Sequence, residues 1–63
     1  MIILGIDPGT ARMGYGILHI EKDAKAKLLE VDTLITHQDL PMPKRLKFIY
    51  KRLSEIIDKH SPD

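Results

Sequence analysis

Residues 2–16, Ile2-Ile3-Leu4-Gly5-Ile6-Asp7-Pro8-Gly9-Thr10-Ala11-Arg12-Met13-Gly14-Tyr15-Gly16, decide how the rest of the chain is arranged. The apolar run up to Ile6 is predicted to be a strand buried on both faces, since it has no polar alternation. It delivers one carboxylate, Asp7, into a turn made by Pro8 and Gly9. Pro8 ends the strand because it lacks a donor, and Gly9 permits a positive φ. A carboxylate is costly to desolvate unless a cation or several donors meet it. Asp7, where a buried strand leaves the core, is therefore a candidate metal ligand. The plainer reading is that Asp before Pro and Gly starts a turn.

Outward from that turn, residues 13–21 read as the second strand of a hairpin. Met13, Tyr15, Ile17 and His19 share one face; Gly14, Gly16, Leu18 and Ile20 share the other. Two glycines on one face beside Asp7 leave bare backbone, either a bulge or the floor of a groove, with a bulge the commoner cause. Residues 21–26 are charged and suit a solvated hairpin loop. Residues 27–36 form a third strand, with Leu29, Val31, Thr33 and Ile35 on one face. Leu28, Glu30, Asp32 and Leu34 lie on the other, where Glu30 and Asp32 are expected to be solvated. Asp39 and Pro41 mark a connection, and Pro43 suits a first helical turn because its missing N–H is not needed there. Leu46, Ile49, Tyr50, Leu53, Ile56, Ile57 and His60 then recur at three- and four-residue spacing, an amphipathic helix. Phe48 lies off that stripe.

Whole-chain properties narrow the function. Sixty-three residues give one small domain at most, and a chain of this size buries only about 60% of its unfolded surface. There is no cysteine, so neither a disulfide nor a thiolate metal site supports the core. Ten Lys and Arg stand against nine Asp and Glu, a formal charge of +1, which gives no overall field toward nucleic acid or membrane. No run approaches the roughly 20 apolar residues of a membrane helix, and Ile2–Ile6 is too short for a signal-peptide core. Lys44, Arg45, Lys47, Lys51, Arg52 and Lys59 cover the polar side of the helix. They suit either a phosphate-contacting face or a solvated surface with Lys51–Glu55 and Glu55–Lys59 pairs. The three histidines have no metal-site spacing, and His60 complements the helix dipole. Ser61-Pro62-Asp63 follows the helix directly, so a further parallel strand is expected next and the chain reads as an N-terminal fragment. The class is α/β: a three-stranded antiparallel meander followed by one amphipathic helix packed on one sheet face.

Ile3-Leu4-Gly5-Ile6-Asp7-Pro8-Gly9 followed by Gly14-Tyr15-Gly16 resembles the opening of the RuvC family, bacterial crossover junction endodeoxyribonucleases that resolve Holliday junctions. The resemblance continues at Asp39-Leu40-Pro41, Arg45-Leu46-Lys47-Phe48-Ile49-Tyr50, Glu55-Ile56-Ile57 and Pro62-Asp63. Met13 departs from it, standing where the family usually carries a hydroxyl residue. The resemblance implies an RNase H-like fold, of which residues 1–63 would be the N-terminal portion. It implies a homodimeric, Mg²⁺-dependent nuclease, with Mn²⁺ as a substitute, that nicks two opposing strands of four-way junction DNA in recombination and repair. A branch-migration helicase complex as partner comes with it; a cytoplasmic location is the default without a targeting signal, and no membrane association is expected without a long apolar run. Asp7 matches the family's first catalytic and metal-binding carboxylate; the other carboxylates fall outside residues 1–63, so this chain alone is expected to be inactive. Gly9, Thr10 and Arg12 are the substrate-binding candidates beside it. Two divalent ions about 3.5–4 Å apart activate water and stabilise the leaving oxygen in such nucleases, and Mg²⁺ favours carboxylate oxygens. A rival resemblance is carried by Gly5-Ile6-Asp7-Pro8-Gly9-Thr10, which looks like the phosphate-binding hairpin of actin-like ATPases and sugar kinases. Pro8, the Gly14-Tyr15-Gly16 return and the helix segment speak against it.

Overall fold

The computed structural model describes all 63 residues, Met1–Asp63. Three strands, β1 (Ile2–Asp7), β2 (Arg12–Ile20) and β3 (Ala26–Ile35), precede one helix, α1 (Met42–His60). The sheet order is β1-β2-β3 with both pairs antiparallel, so the expected meander forms. Register is set at the opening stretch: Asp7 lies opposite Gly14, and Gly5 opposite Gly16. The predicted boundaries differ from the observed ones by a residue at the strand ends, as fraying hydrogen-bond ladders allow.

α1 covers one face of the sheet. Tyr15, Ile17, Leu34 and Ile56 form the buried cluster, with Ile2, Leu4, Met13 and Leu53 packed around it. The cross-strand register puts Ile2, Leu4 and Ile6 of β1 on this same face, alongside Tyr15 and Ile17. Alternation then places Ile3, Gly5 and Asp7 on the opposite face, which no element covers. The expectation that β1 is buried on both faces is therefore corrected: Ile3 lies exposed on the uncovered face, and Ile6, although on the α1 side, is exposed as well. A single helix reaches only one side of a sheet.

β3 brings a second correction. Tyr15 pairs with Asp32 and Ile17 with Glu30, so the two carboxylates lie on the helix-covered face and not on a solvated outer one. The apolar set, Val31 and Ile35, is the exposed one. The bulge is also elsewhere than expected. Ile17 pairs with Glu30 while Leu18 pairs with Leu28, which leaves Leu29 as the extra residue in β3. Gly14 and Gly16 keep regular partners on both sides. The extra residue turns Leu28 to the face of Leu18 and Gly16, whereas strict alternation would have put it with Glu30.

α1 begins after Pro41, whose carbonyl accepts from the N–H groups of Lys44 and Arg45 at 3.0 and 3.1 Å. Pro43 lies in the first turn, as its sequence position predicts. The helix ends at Ser61, which adopts the left-handed conformation (φ 48°) and donates its N–H to the Ile57 carbonyl at 2.7 Å. The chain then returns to β1: Asp63 donates its N–H to Ile2 O at 2.8 Å and accepts the Ile2 N–H on Oδ2 at 2.6 Å. The apolar stripe of α1 is wider than the surface it covers. Ile49 and Ile56 are buried, whereas Leu46, Tyr50 and Ile57 stay exposed, as does Phe48 off the stripe.

Candidate active site

Asp7 is the last residue of β1, on the face away from α1. Its carboxylate has no hydrogen bond or ion pair within the chain, and it is exposed. Beneath it is a shallow depression of about 360 Å³ lined by Gly5, Ile6, Asp7, Gly14, Tyr15, Gly16 and Val31. A Cβ at Gly5 would meet nothing within 4 Å, and one at Gly14 would touch only the Asp7 Cβ, at 3.6 Å. Packing within the chain therefore does not demand glycine at either position. The glycines are a groove floor, the second of the two sequence readings, and they keep the flank of Asp7 open.

The turn after Asp7 is tight. A Cβ on Gly9 would lie 2.1 Å from the Arg12 carbonyl oxygen, far inside van der Waals contact. No glycine in the chain has a positive φ. The expected reason for Gly9 is thus corrected: it is required by close backbone approach, not by a left-handed conformation. Arg12 opens β2, two residues before Gly14, so alternation places it on the Asp7 face. Thr10 lies exposed in the turn itself. The structure therefore gathers Asp7, Arg12 and the glycine floor on one face, with Gly9 and Thr10 at its rim.

The hydroxyl of Thr36, just past β3, donates to the Thr10 carbonyl, and the Thr36 N–H donates to Ala11 O at 3.1 Å. Arg45 Nε–H is shared between the carbonyls of His37 (3.1 Å) and Leu40 (3.0 Å). Sequence reasoning missed both residues. Thr36 is a threonine at a strand end and Arg45 one of six helix cations, and no local pattern distinguishes them.

A larger concavity, about 440 Å³, lies on the other face between β3 and α1, lined by Tyr15, Glu30, Asp32, Arg52, Glu55, Ile56 and Lys59. Its polar groups largely satisfy one another. Tyr15 donates to Glu30 Oε2 at 2.6 Å, Lys59 Nζ donates to Oε1 at 2.9 Å, and His60 Nε2 lies 3.2 Å from the same oxygen. The Tyr15 bond first, then those from Lys59 and His60, hold the Glu30 carboxyl down to about 2 from 4.5. The bond to Glu30 and burial push the Tyr15 phenol up to about 12 from 10.0. This network joins the sheet to the end of α1 and is a structural element. The expected Lys51–Glu55 and Glu55–Lys59 pairs do not form: Glu55 pairs with Arg52 and Lys59 turns to Glu30. Lys44, Lys47 and Lys51 are left without an ion pair.

A metal site is testable against the donors present. Asp7 supplies hard carboxylate oxygens with no competing internal donor, which suits one anchoring point for Mg²⁺. No group of three His, Cys, Asp or Glu side chains converges anywhere in the chain, so residues 1–63 contribute that anchor and no complete cage. No helix is long and apolar enough to cross a membrane.

Comparison with known proteins adds to this geometry. The family model described as Crossover junction endodeoxyribonuclease RuvC matches residues 3–63. The protein of that description from Alkaliphilus metalliredigens is 48% identical over all of this chain, which spans 38% of the relative's length. The one from Finegoldia magna is 44% identical, again over the whole chain and 38% of its own length. Among solved structures, T. thermophilus RuvC in complex with Holliday junction substrate superposes with a TM-score of 0.90 at 32% identity, covering 98% of this chain and 39% of that one. The meander and its helix are accordingly the first part of an RNase H-like fold.

Proposed function

The chain belongs to the RuvC family of crossover junction endodeoxyribonucleases, and on that premise we propose that it forms the N-terminal portion of a single RNase H-like domain that resolves four-way DNA junctions. The observation that carries this reading is the setting of Asp7. It is a lone exposed carboxylate at the end of a strand, without an internal partner, over a floor of glycine backbone.

In this reading Asp7 is the first catalytic carboxylate and anchors a divalent cation. Bound Mg²⁺, or Mn²⁺ in its place, supplies water activation and charge stabilisation at the leaving oxygen. Arg12, on the same face, offers a guanidinium fork that fits a phosphate. Gly9 and the uncovered glycine floor let a DNA backbone come close without meeting a side chain, and Thr10 offers a hydroxyl at the rim. The scissile phosphodiester is thus held against a rigid strand end, and the chain's contribution is positioning as much as ligation. A homodimer, partnership with a branch-migration helicase complex and a cytoplasmic location belong to the same proposal. Residues 1–63 alone, with one ligand, are expected to cut nothing.

The test uses the full-length protein with a four-way junction, linear duplex and Mg²⁺. Paired, symmetric nicks are expected in the junction alone. Asp7→Asn is expected to remove cleavage while leaving folding and junction binding largely intact. Mg²⁺-dependent cutting by Asp7→Asn would overturn the assignment.

A further inference from the structure

The turn beside Asp7 is braced from the far edge of the sheet. Thr36 lies beyond the end of β3, and its side chain is only 6% exposed, the one polar residue among the buried set. A buried hydroxyl costs stability unless it is hydrogen-bonded. This one donates to the Thr10 carbonyl, while the Thr36 N–H donates to Ala11 O. Two consecutive carbonyls of the turn are therefore gripped by one residue. Valine has nearly the shape of threonine, so the hydroxyl is the chemical reason for threonine here. Behind it, the His37–Leu40 segment is fixed by the shared Arg45 Nε–H, and Arg45 is in the first turn of α1, its own N–H on Pro41 O. Hydrogen bonds thus tie α1 through Arg45 to the connection at His37, and Thr36, the residue joined covalently before it, to Thr10 and Ala11.

The turn that the brace holds is tight. Gly9 already approaches the Arg12 carbonyl too closely to admit a Cβ. Thr10 and Ala11 are bonded directly to Gly9 and Arg12, so a shift of the braced carbonyls is passed to the two residues that bound the turn after Asp7.

We propose that Thr36, backed by Arg45, is a positioning residue for cleavage: it sets the Gly9–Arg12 turn against Asp7 and touches no substrate itself. The inference rests on the nuclease reading above. A misplacement of about 1 Å at a reacting centre can cost on the order of 100-fold in rate.

The experiment measures single-turnover cleavage of saturating junction DNA by the full-length protein. Wild type, Thr36→Val, Thr36→Ser and Arg45→Lys are compared, each well below its own melting temperature. Amide hydrogen exchange across Gly9–Arg12 is followed in parallel. Thr36→Val is expected to slow cleavage of bound junction at least about tenfold, to change junction affinity far less than that, and to speed exchange in the turn. Thr36→Ser keeps the hydroxyl and is expected to restore the wild-type rate. Arg45→Lys keeps the charge but loses the shared Nε–H, and is expected to slow cleavage less than Thr36→Val does. Wild-type cleavage by Thr36→Val, or a Thr36→Ser as slow as Thr36→Val, overturns the inference while the nuclease reading stands. Where Thr36→Val does not fold, Arg45→Lys decides: cleavage of bound junction slowed more than affinity is changed supports the brace, and a wild-type rate overturns it. A wild-type protein that cuts no junction takes away the nuclease reading and the cleavage role together, and turn exchange still reports whether the brace exists.

Discussion

Asp7 and Glu30 are both strand carboxylates, and what surrounds each separates their roles. Asp7 faces open solvent with no donor of its own, so its charge is free for a ligand. Glu30 accepts from Tyr15 and Lys59 and lies against His60, so its charge is already committed. The consequence is a pH signature. A carboxyl held at about 2 in the folded chain against 4.5 when free contributes stability that is present above 4.5 and is lost as pH falls toward 2. The Tyr15 phenol, raised to about 12 from 10.0, contributes below pH 10 and loses that contribution as pH climbs through 12. Glu30→Gln is therefore expected to flatten the acid limb of the melting-temperature profile between 4.5 and 2. Parallel acid limbs for wild type and variant, followed by circular dichroism, would count against the network. The place of Asp7 at a strand end was legible because its signal is local, an apolar run broken by Asp-Pro-Gly. Glu30 was not, because alternation along β3 says which residues share a face and not which face a helix will cover. Thr36 was illegible for a similar reason, since its partner Thr10 is 26 residues away in sequence and meets it only through the pairing of β3 with β2.

At the scale of elements, the meander and α1 follow from patterns of two and of three to four residues, and both emerge where those patterns predict. What periodicity leaves open is how much of an apolar stripe finds a partner. The helical stripe includes Ile56 and Ile57 alike, yet Ile56 is 3% exposed and Ile57 45%. A narrow three-stranded sheet offers contact over only part of the helix circumference, and Ile56 takes it beside Tyr15, Ile17 and Leu34. Ile56→Ala is expected to cost about 2–4 kcal/mol through lost burial and the cavity left behind. Ile57→Ala, at an uncovered position, is expected to stay within about 0.5 kcal/mol. Equal destabilisation of the two in denaturant titrations would mean that the helix is rotated from its observed setting. The bulge at Leu29 was invisible for a different reason. It depends on the pairing of β3 with β2, and nothing in the residues around Leu29 marks an extra position.

At the scale of the whole molecule, one helix on three strands leaves a sheet face uncovered. Leu28, Val31 and Ile35 lie on it, with Val31 66% and Ile35 58% exposed. Large apolar side chains exposed together on an uncovered sheet face suit a contact site. The curated relatives are more than twice as long, one of them spanned to 38% by this chain, and in a full-length protein the remaining residues are expected to cover the β3 side of this face while leaving the glycine floor beside Asp7 open. The same substitutions should then act with opposite sign in two settings. In residues 1–63 alone, exposed Val31 and Ile35 are expected to drive self-association as concentration rises, and Val31→Lys with Ile35→Lys is expected to restore the monomer in sedimentation experiments. Within the full-length protein the same pair of lysines meets an apolar partner surface. There they are expected to destabilise by several kcal/mol, since a buried ammonium without a partner is costly. Tyr50→Lys, on the outer side of α1, serves as the control and should be nearly neutral in both settings. A full-length protein indifferent to the two lysines would mean that the face stays open there, free for a separate partner. Strong destabilisation would instead identify the face as the inner wall of the complete domain, with Asp7 at the rim where that wall ends.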